Sequence, residues 1–91
     1  MVKSVIWTLT ARQARQDILE KIYQQTGDKE ECRKFTLLLK LHLKYIAKYN
    51  FAGIESEYPS TRETTCGEYR LFYKIRSGSI NITGLFESEN Q

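Results

Sequence analysis

The chain has 91 residues, 41% of them apolar and 27% charged, enough to bury one hydrophobic core in a single domain spanning 1–91 but not to add a cofactor domain. That composition excludes global disorder, no apolar run approaches the roughly 20 residues of a membrane span, and a formal charge of +3 permits nucleic-acid contacts without indicating them. Cys32 and Cys66 lack CxxC or Cys/His spacing, so free thiols are expected, with no metal and no cofactor. Met1 to Ser4 lead into a strand rather than a signal-peptide core, and the cytoplasm is the expected compartment.

Val2 to Thr8 is rich in β-formers, with Val5, Ile6 and Trp7 at its centre, and predicts a first strand. Thr10 followed by Gln13 has the spacing of a capping box, so a helix is expected to begin near Ala11. Ala14, Ile18, Leu19, Ile22 and Tyr23 carry its helical periodicity to Gln25, and Gly27 ends it. Asp28 with Glu31 starts a second helix reaching Tyr49 or Asn50. Its apolar stripe holds Phe35, Leu38, Leu39, His42, Ile46 and Tyr49, broadened by Leu43 and Ala47. Helices joined by so short a turn pack antiparallel. Lys40, Lys44 and Lys48 form a ridge along the second helix, either a solvated face or a surface for phosphate or an acidic partner, with Leu37 and Leu41 at its border.

From Phe51 to Pro59 the periodicity stops, and Gly53 and Pro59 mark an irregular connection. Ser60 to Cys66 reads as a strand, Gly67-Glu68 as a turn, Tyr69 to Arg76 as a strand, Ser77-Gly78 as a second turn and Ser79 to Phe86 as the last strand. Tyr69, Leu71, Tyr73 and Ile75 alternate with Arg70, Phe72, Lys74 and Arg76. Successive strand side chains point to opposite faces, so the first set, with Ile80 and Ile82, belongs under the helices and the second forms a mainly cationic outer row. The expected fold is α+β in the order β-α-α-β-β-β, a helical hairpin packed on one side of a twisted, mainly antiparallel four-stranded sheet.

Ser4-Val5-Ile6-Trp7-Thr8 before an Ala/Arg/Gln-rich helix, the run Tyr69-Arg70-Leu71-Phe72-Tyr73-Lys74-Ile75, and the closing Gly84 to Gln91 together resemble the RelE/ParE superfamily of bacterial type II toxins. The resemblance spans nearly the whole chain and rests on order and spacing. It implies the toxin of a toxin-antitoxin system, associated with plasmid stabilization, that inhibits growth through translation, by mRNA cleavage at the ribosome, or through DNA gyrase, and that a cognate antitoxin neutralises. On that reading an antitoxin helix would lie along Leu37 and Leu41. Two departures bear on mechanism. Glu89 stands where the family's closing segment has an arginine, and no Arg, His or Tyr follows Arg76. They favour gyrase-type action, or a catalytically degenerate module that keeps only antitoxin binding, over RNA cleavage.

Cleavage would require a base, an acid and cations around the scissile phosphate. Arg70 and Lys74 are the expected cations, Arg62 joins them if register brings it across, and Glu68, Glu87 or Glu89 would be the base. The candidate catalytic set is therefore Arg70, Arg62 and Glu87, and the candidate nucleic-acid or antitoxin-binding set is Arg70, Lys74, Arg76, Lys40, Lys44 and Lys48. His42 is expected to pack on its helix stripe, and Tyr69 and Tyr73 to be core aromatics.

Overall fold

The structure, a computed structural model, describes residues 2–88. It contains β1 (Ser4–Trp7), α1 (Leu9–Thr26), α2 (Lys29–Lys48), β2 (Ile54–Glu55), β3 (Arg62–Cys66), β4 (Tyr69–Ile75) and β5 (Ser79–Glu87). The strands form one sheet in the order β1-β5-β4-β3-β2, with β1 parallel to β5 and every other pair antiparallel. The α+β class and the helical hairpin are as expected, but the sheet has five strands rather than four. The extra one, β2, lies in the supposedly irregular connection and pairs Ile54 with Glu63 and Glu55 with Arg62. A two-residue strand has no periodicity to read.

The first helix starts earlier than the Thr10 signal suggested. Thr8 is extended and its Oγ1 accepts from the Ala11 N–H at 3.1 Å, so Thr8 is the cap, while Gln13 donates instead to Asp17 at 2.8 Å. Gly27 closes α1 in the left-handed conformation, φ 64°, where a Cβ would clash with its own backbone, and its N–H satisfies the Tyr23 carbonyl at 2.7 Å. Asp28 then caps α2 by accepting from the Glu30 N–H at 2.8 Å. No helix among the described residues is long and apolar enough to cross a membrane.

Ala11 and Ile18 of α1 and Phe35, Leu39 and Ile46 of α2 pack on Cys66, Leu71, Tyr73, Ile80, Ile82 and Leu85 of the sheet. Full burial of a Leu or Ile side chain stabilises by roughly 1.5–3 kcal/mol, so this inner face dominates the fold. The inner set on β5 changes phase partway. Phe72 pairs with Gly84 but Tyr73 with Ile82, which leaves Thr83 as the extra residue of a β-bulge. Ile80 and Ile82 face the helices before it, Leu85 after it.

Buried polar atoms latch the connection after α2 to the sheet. The Tyr73 hydroxyl donates to the Asn50 carbonyl at 2.9 Å and accepts from the Gly53 N–H at 3.0 Å. Glycine is required there, since a Cβ would lie 2.5 Å from the Glu63 carbonyl oxygen and 2.8 Å from that hydroxyl.

Both cysteines are free, and Cys66 is fully buried, its thiol pushed up to about 11 by desolvation. In the native protein at pH 8, iodoacetamide is expected to leave Cys66 unmodified and to alkylate it only after denaturation, as mass spectrometry would read; rapid native labelling would contradict this packing.

Candidate functional site

The solvent face of the sheet follows from the register. The tight turn at Gly67-Glu68 sets Cys66 opposite Tyr69 and Thr65 opposite Arg70, which puts Glu63 opposite Phe72 on the same face as Arg70. Phe86 faces Arg70 from β5, Asn81 faces Lys74, and Ile6 of β1 faces Asn81. Arg70, Phe72 and Lys74 therefore lie outward, as expected, with Arg76 exposed just beyond β4. The row is less cationic than its sequence, because Ile6, Ile54 and Phe86 are exposed apolar side chains on the same face.

Arg70 is the centre of this face and it is not free. Its Nε donates to Glu63 Oε2 at 2.9 Å, and its Nη2 lies 2.8 Å from the same oxygen as an ion pair. The hydrogen bond to Glu63 is the largest cause of a raised Arg70 pKa, opposed by partial desolvation and reinforced by the charges of Glu63 and Glu57. The guanidinium carbon stands 5.0 Å from the Phe72 ring centroid, and Phe72 takes Tyr58 edge-on at 5.6 Å and Phe86 at 5.5 Å. Gly84 leaves room for this, since a Cβ there would come within 2.7 Å of the Phe86 ring. The result is an aromatic shelf, Tyr58–Phe72–Phe86, with a neutralised cation beside it.

The other expected members of the catalytic set are elsewhere. Arg62 pairs with Tyr73 and faces the helix side, where its Nη2 donates to the Gly53 and Phe51 carbonyls and its guanidinium lies 5.1 Å over the Phe51 ring. Glu87 pairs with Tyr69 and is held by Lys21 of α1, which raises the Lys21 pKa. Burial, then the Glu87 charge, raises the Tyr69 pKa. Arg70, Arg62 and Glu87 are thus not brought together. Glu68 is exposed in its turn, where its carbonyl accepts from the Ser88 N–H at 2.8 Å, and Glu89 lies outside the described residues. Two residues near Arg70 were not singled out from sequence. Glu63 was findable by counting back from the Gly67-Glu68 turn, whereas Tyr58 sits in a loop with no periodic signal.

On α2, Lys40, Lys44 and Lys48 are exposed as expected. Leu37, Leu41 and Tyr45 beside them are 55%, 66% and 57% exposed, and together they form an apolar strip along the outer side of the helix. Tyr49, assigned to the core stripe by spacing, is half exposed and faces outward with this strip, while Leu38 of the same stripe sits at its margin, 36% exposed against the Gly67 turn. The helix turns through 100° per residue, and the sheet covers a narrower arc than their positions span. Tyr49 stacks against Tyr45 at 4.9 Å, and the Lys48 ammonium lies 5.4 Å over the Tyr49 ring. His42 is half-buried at the edge of the strip, its Nδ1 3.0 Å from the Leu38 carbonyl oxygen. Among the described residues, no cluster of His, Cys, Asp and Glu could hold a metal ion.

A helical hairpin on an antiparallel sheet extended by a parallel first strand is a fold this chain shares with solved chains from toxin-antitoxin systems. No protein-family model matches the sequence, and no curated protein matches it. Among solved structures, the chain is similar to one from the chromosomal ParDE toxin-antitoxin system of P. aeruginosa, at 21% identity over 97% of this chain and 98% of that one, TM-score 0.83. It is also similar to a chain of the RelBE2 toxin-antitoxin complex of Mycobacterium tuberculosis, at 15% identity, 96% and 99% coverage and TM-score 0.67. A YoeB/ParE toxin from Agrobacterium tumefaciens follows at 14% identity, 94% and 99% coverage and TM-score 0.61. At these identities the likeness is one of fold.

Proposed function

We propose that the chain is the toxin of a type II toxin-antitoxin pair of the RelE/ParE superfamily, acting in the bacterial cytoplasm and neutralised by a cognate antitoxin. The observation that carries this reading is fold likeness over nearly the full length of both chains to a member of a ParDE system. The α2 strip supplies a contact surface of suitable chemistry. An amphipathic antitoxin helix would cover Leu37, Leu41 and Tyr45 with its apolar face and set acidic side chains against Lys40, Lys44 and Lys48.

DNA gyrase is the better-supported target, and ribosome-dependent mRNA cleavage the weaker one. Cleavage needs a base, an acid and free cations around one phosphate. Arg62 and Glu87 lie away from Arg70, and the Nε–Nη2 edge of Arg70 is already paired. The second reading, a binding module that keeps antitoxin recognition and has lost toxicity, is favoured by the same dispersal.

Induction of the chain alone in a bacterium is expected to arrest growth, and co-expression of a small acidic neighbour-encoded protein to restore it. The arrested cells are expected to show gyrase-dependent DNA damage with uncut messengers, read by gyrase assays and primer extension. Ribosome-dependent cuts that disappear with Arg70→Ala would move the target to translation. Normal growth with verified soluble expression would leave the binding module as the better reading.

A further inference from the structure

Glu63 and Arg70 sit diagonally across the β3–β4 hairpin, and their arrangement has a chemical meaning beyond holding two strands together. A guanidinium fork recognises phosphate and carboxylate through the same edge, with N–H groups aimed at oxygens near 2.8 Å. In this chain that edge points at Glu63, through Nε at 2.9 Å and Nη2 at 2.8 Å. The carboxylate is backed by the sheet and its side chain is only 17% exposed, against 39% for Arg70. Phe72 lies under the guanidinium and Tyr58 closes on Phe72 from the β2–β3 loop, so the fork has a floor and a flank that favour its present direction. Glu57 in the same loop adds negative charge nearby. A phosphodiester approaching Arg70 would have to displace Glu63 and then stand beside its charge.

We propose that Glu63 is a selectivity residue of the outer face, a positioning carboxylate that occupies the anion-binding edge of Arg70 and withholds it from phosphodiester ligands. The exposed rings of Tyr58 and Phe86, packed edge-on against the buried Phe72, would otherwise suit single-stranded RNA, since bases stack on exposed rings while arginine takes the backbone. With Glu63 in place the Nε–Nη2 edge of Arg70 is withheld from that backbone. This inference concerns ligand chemistry and holds whether or not the chain arrests growth, because binding is read directly on the purified protein.

The test is fluorescence anisotropy with a short labelled oligouridylate, titrated over a series of salt concentrations. Glu63→Gln keeps the shape of the side chain and removes its charge. Glu63→Thr also removes the acceptor that would still engage the fork, and threonine suits a strand. Both variants are expected to bind roughly tenfold more tightly than wild type at low salt, as one charge-assisted contact would give. The slope of log affinity against log salt should steepen by about 0.7, the increment for one added phosphate contact on a single strand. Adding Arg70→Ala to either variant should return affinity and slope to wild-type values. Glu20→Gln, which removes one charge from the exposed side of α1, should leave the slope unchanged. Thermal unfolding of each variant confirms that folded proteins are compared. The proposal fails if neither Glu63 variant steepens the slope, if the gain survives loss of Arg70, or if Glu20→Gln reproduces it.

Discussion

Tyr73→Phe is expected to destabilise the domain by about 2–4 kcal/mol although it removes a single oxygen atom. The hydroxyl is buried and used twice, donating to the Asn50 carbonyl and accepting from the Gly53 N–H. Its loss leaves both backbone groups without this partner, at roughly 1–3 kcal/mol for each unsatisfied group. In a domain of this size the melting temperature should fall by roughly 10 to 30 °C. The matched control is Tyr23→Phe on the exposed side of α1, expected to stay within about 0.5 kcal/mol of wild type. Urea and thermal unfolding would both read the difference. Equal melting temperatures for wild type and Tyr73→Phe would mean that the latch contributes nothing.

Leu41→Asp and Tyr45→Ala are expected to do the reverse, leaving stability within about 0.5 kcal/mol and removing partner recognition. Both side chains are more than half exposed, so neither change opens a cavity. If an antitoxin helix covers this strip, they are its central anchors, and truncating such an anchor costs about 2–4 kcal/mol, or roughly thirty- to a thousandfold in affinity. Calorimetry with the antitoxin would measure the loss, and co-expression would no longer restore growth to cells carrying Leu41→Asp. Wild-type affinity in both variants would exclude the outer side of α2 as the contact.

The fold was legible wherever periodicity ran long enough to be read. Phe35, Leu39 and Ile46 announced the inner side of α2, and Leu71 and Tyr73 announced the inner side of β4. It was not legible in Ile54–Glu55, too short to have a pattern, nor in the bulge at Thr83, which changes phase without changing composition. Sequence alone also placed Tyr49 in the core and Leu38 deeper than its margin position, because spacing reports which residues share a side of a helix but not how wide an arc its neighbours cover. The outer face was legible as a position and misleading as a charge. Arg70 stood where alternation put it, but a cation counted in sequence carries no mark of the carboxylate it meets across the hairpin. Arg62 joins that face only if register brings it across, and the observed pairing with Tyr73 puts it on the other, a matter that the weak alternation of Ser60 to Cys66 does not decide.

The strand order also constrains how the molecule is made. β5 sits between β1 and β4, so β1 can join the rest of the sheet only when β5 has been synthesised. Until then β1 has no partner in the sheet, and Ile18, Phe35 and Leu39 have only part of the surface that covers them. Joining Ser4 to Ser79 closes a loop of nearly the whole chain, a slow step set by topology rather than by local propensity. A nascent chain on the ribosome is therefore an incompletely folded one, with its helical hairpin synthesised before β2 to β5. Any surface that spans β4 and β5, the Tyr58–Phe72–Phe86 shelf included, comes into being only as that final segment emerges.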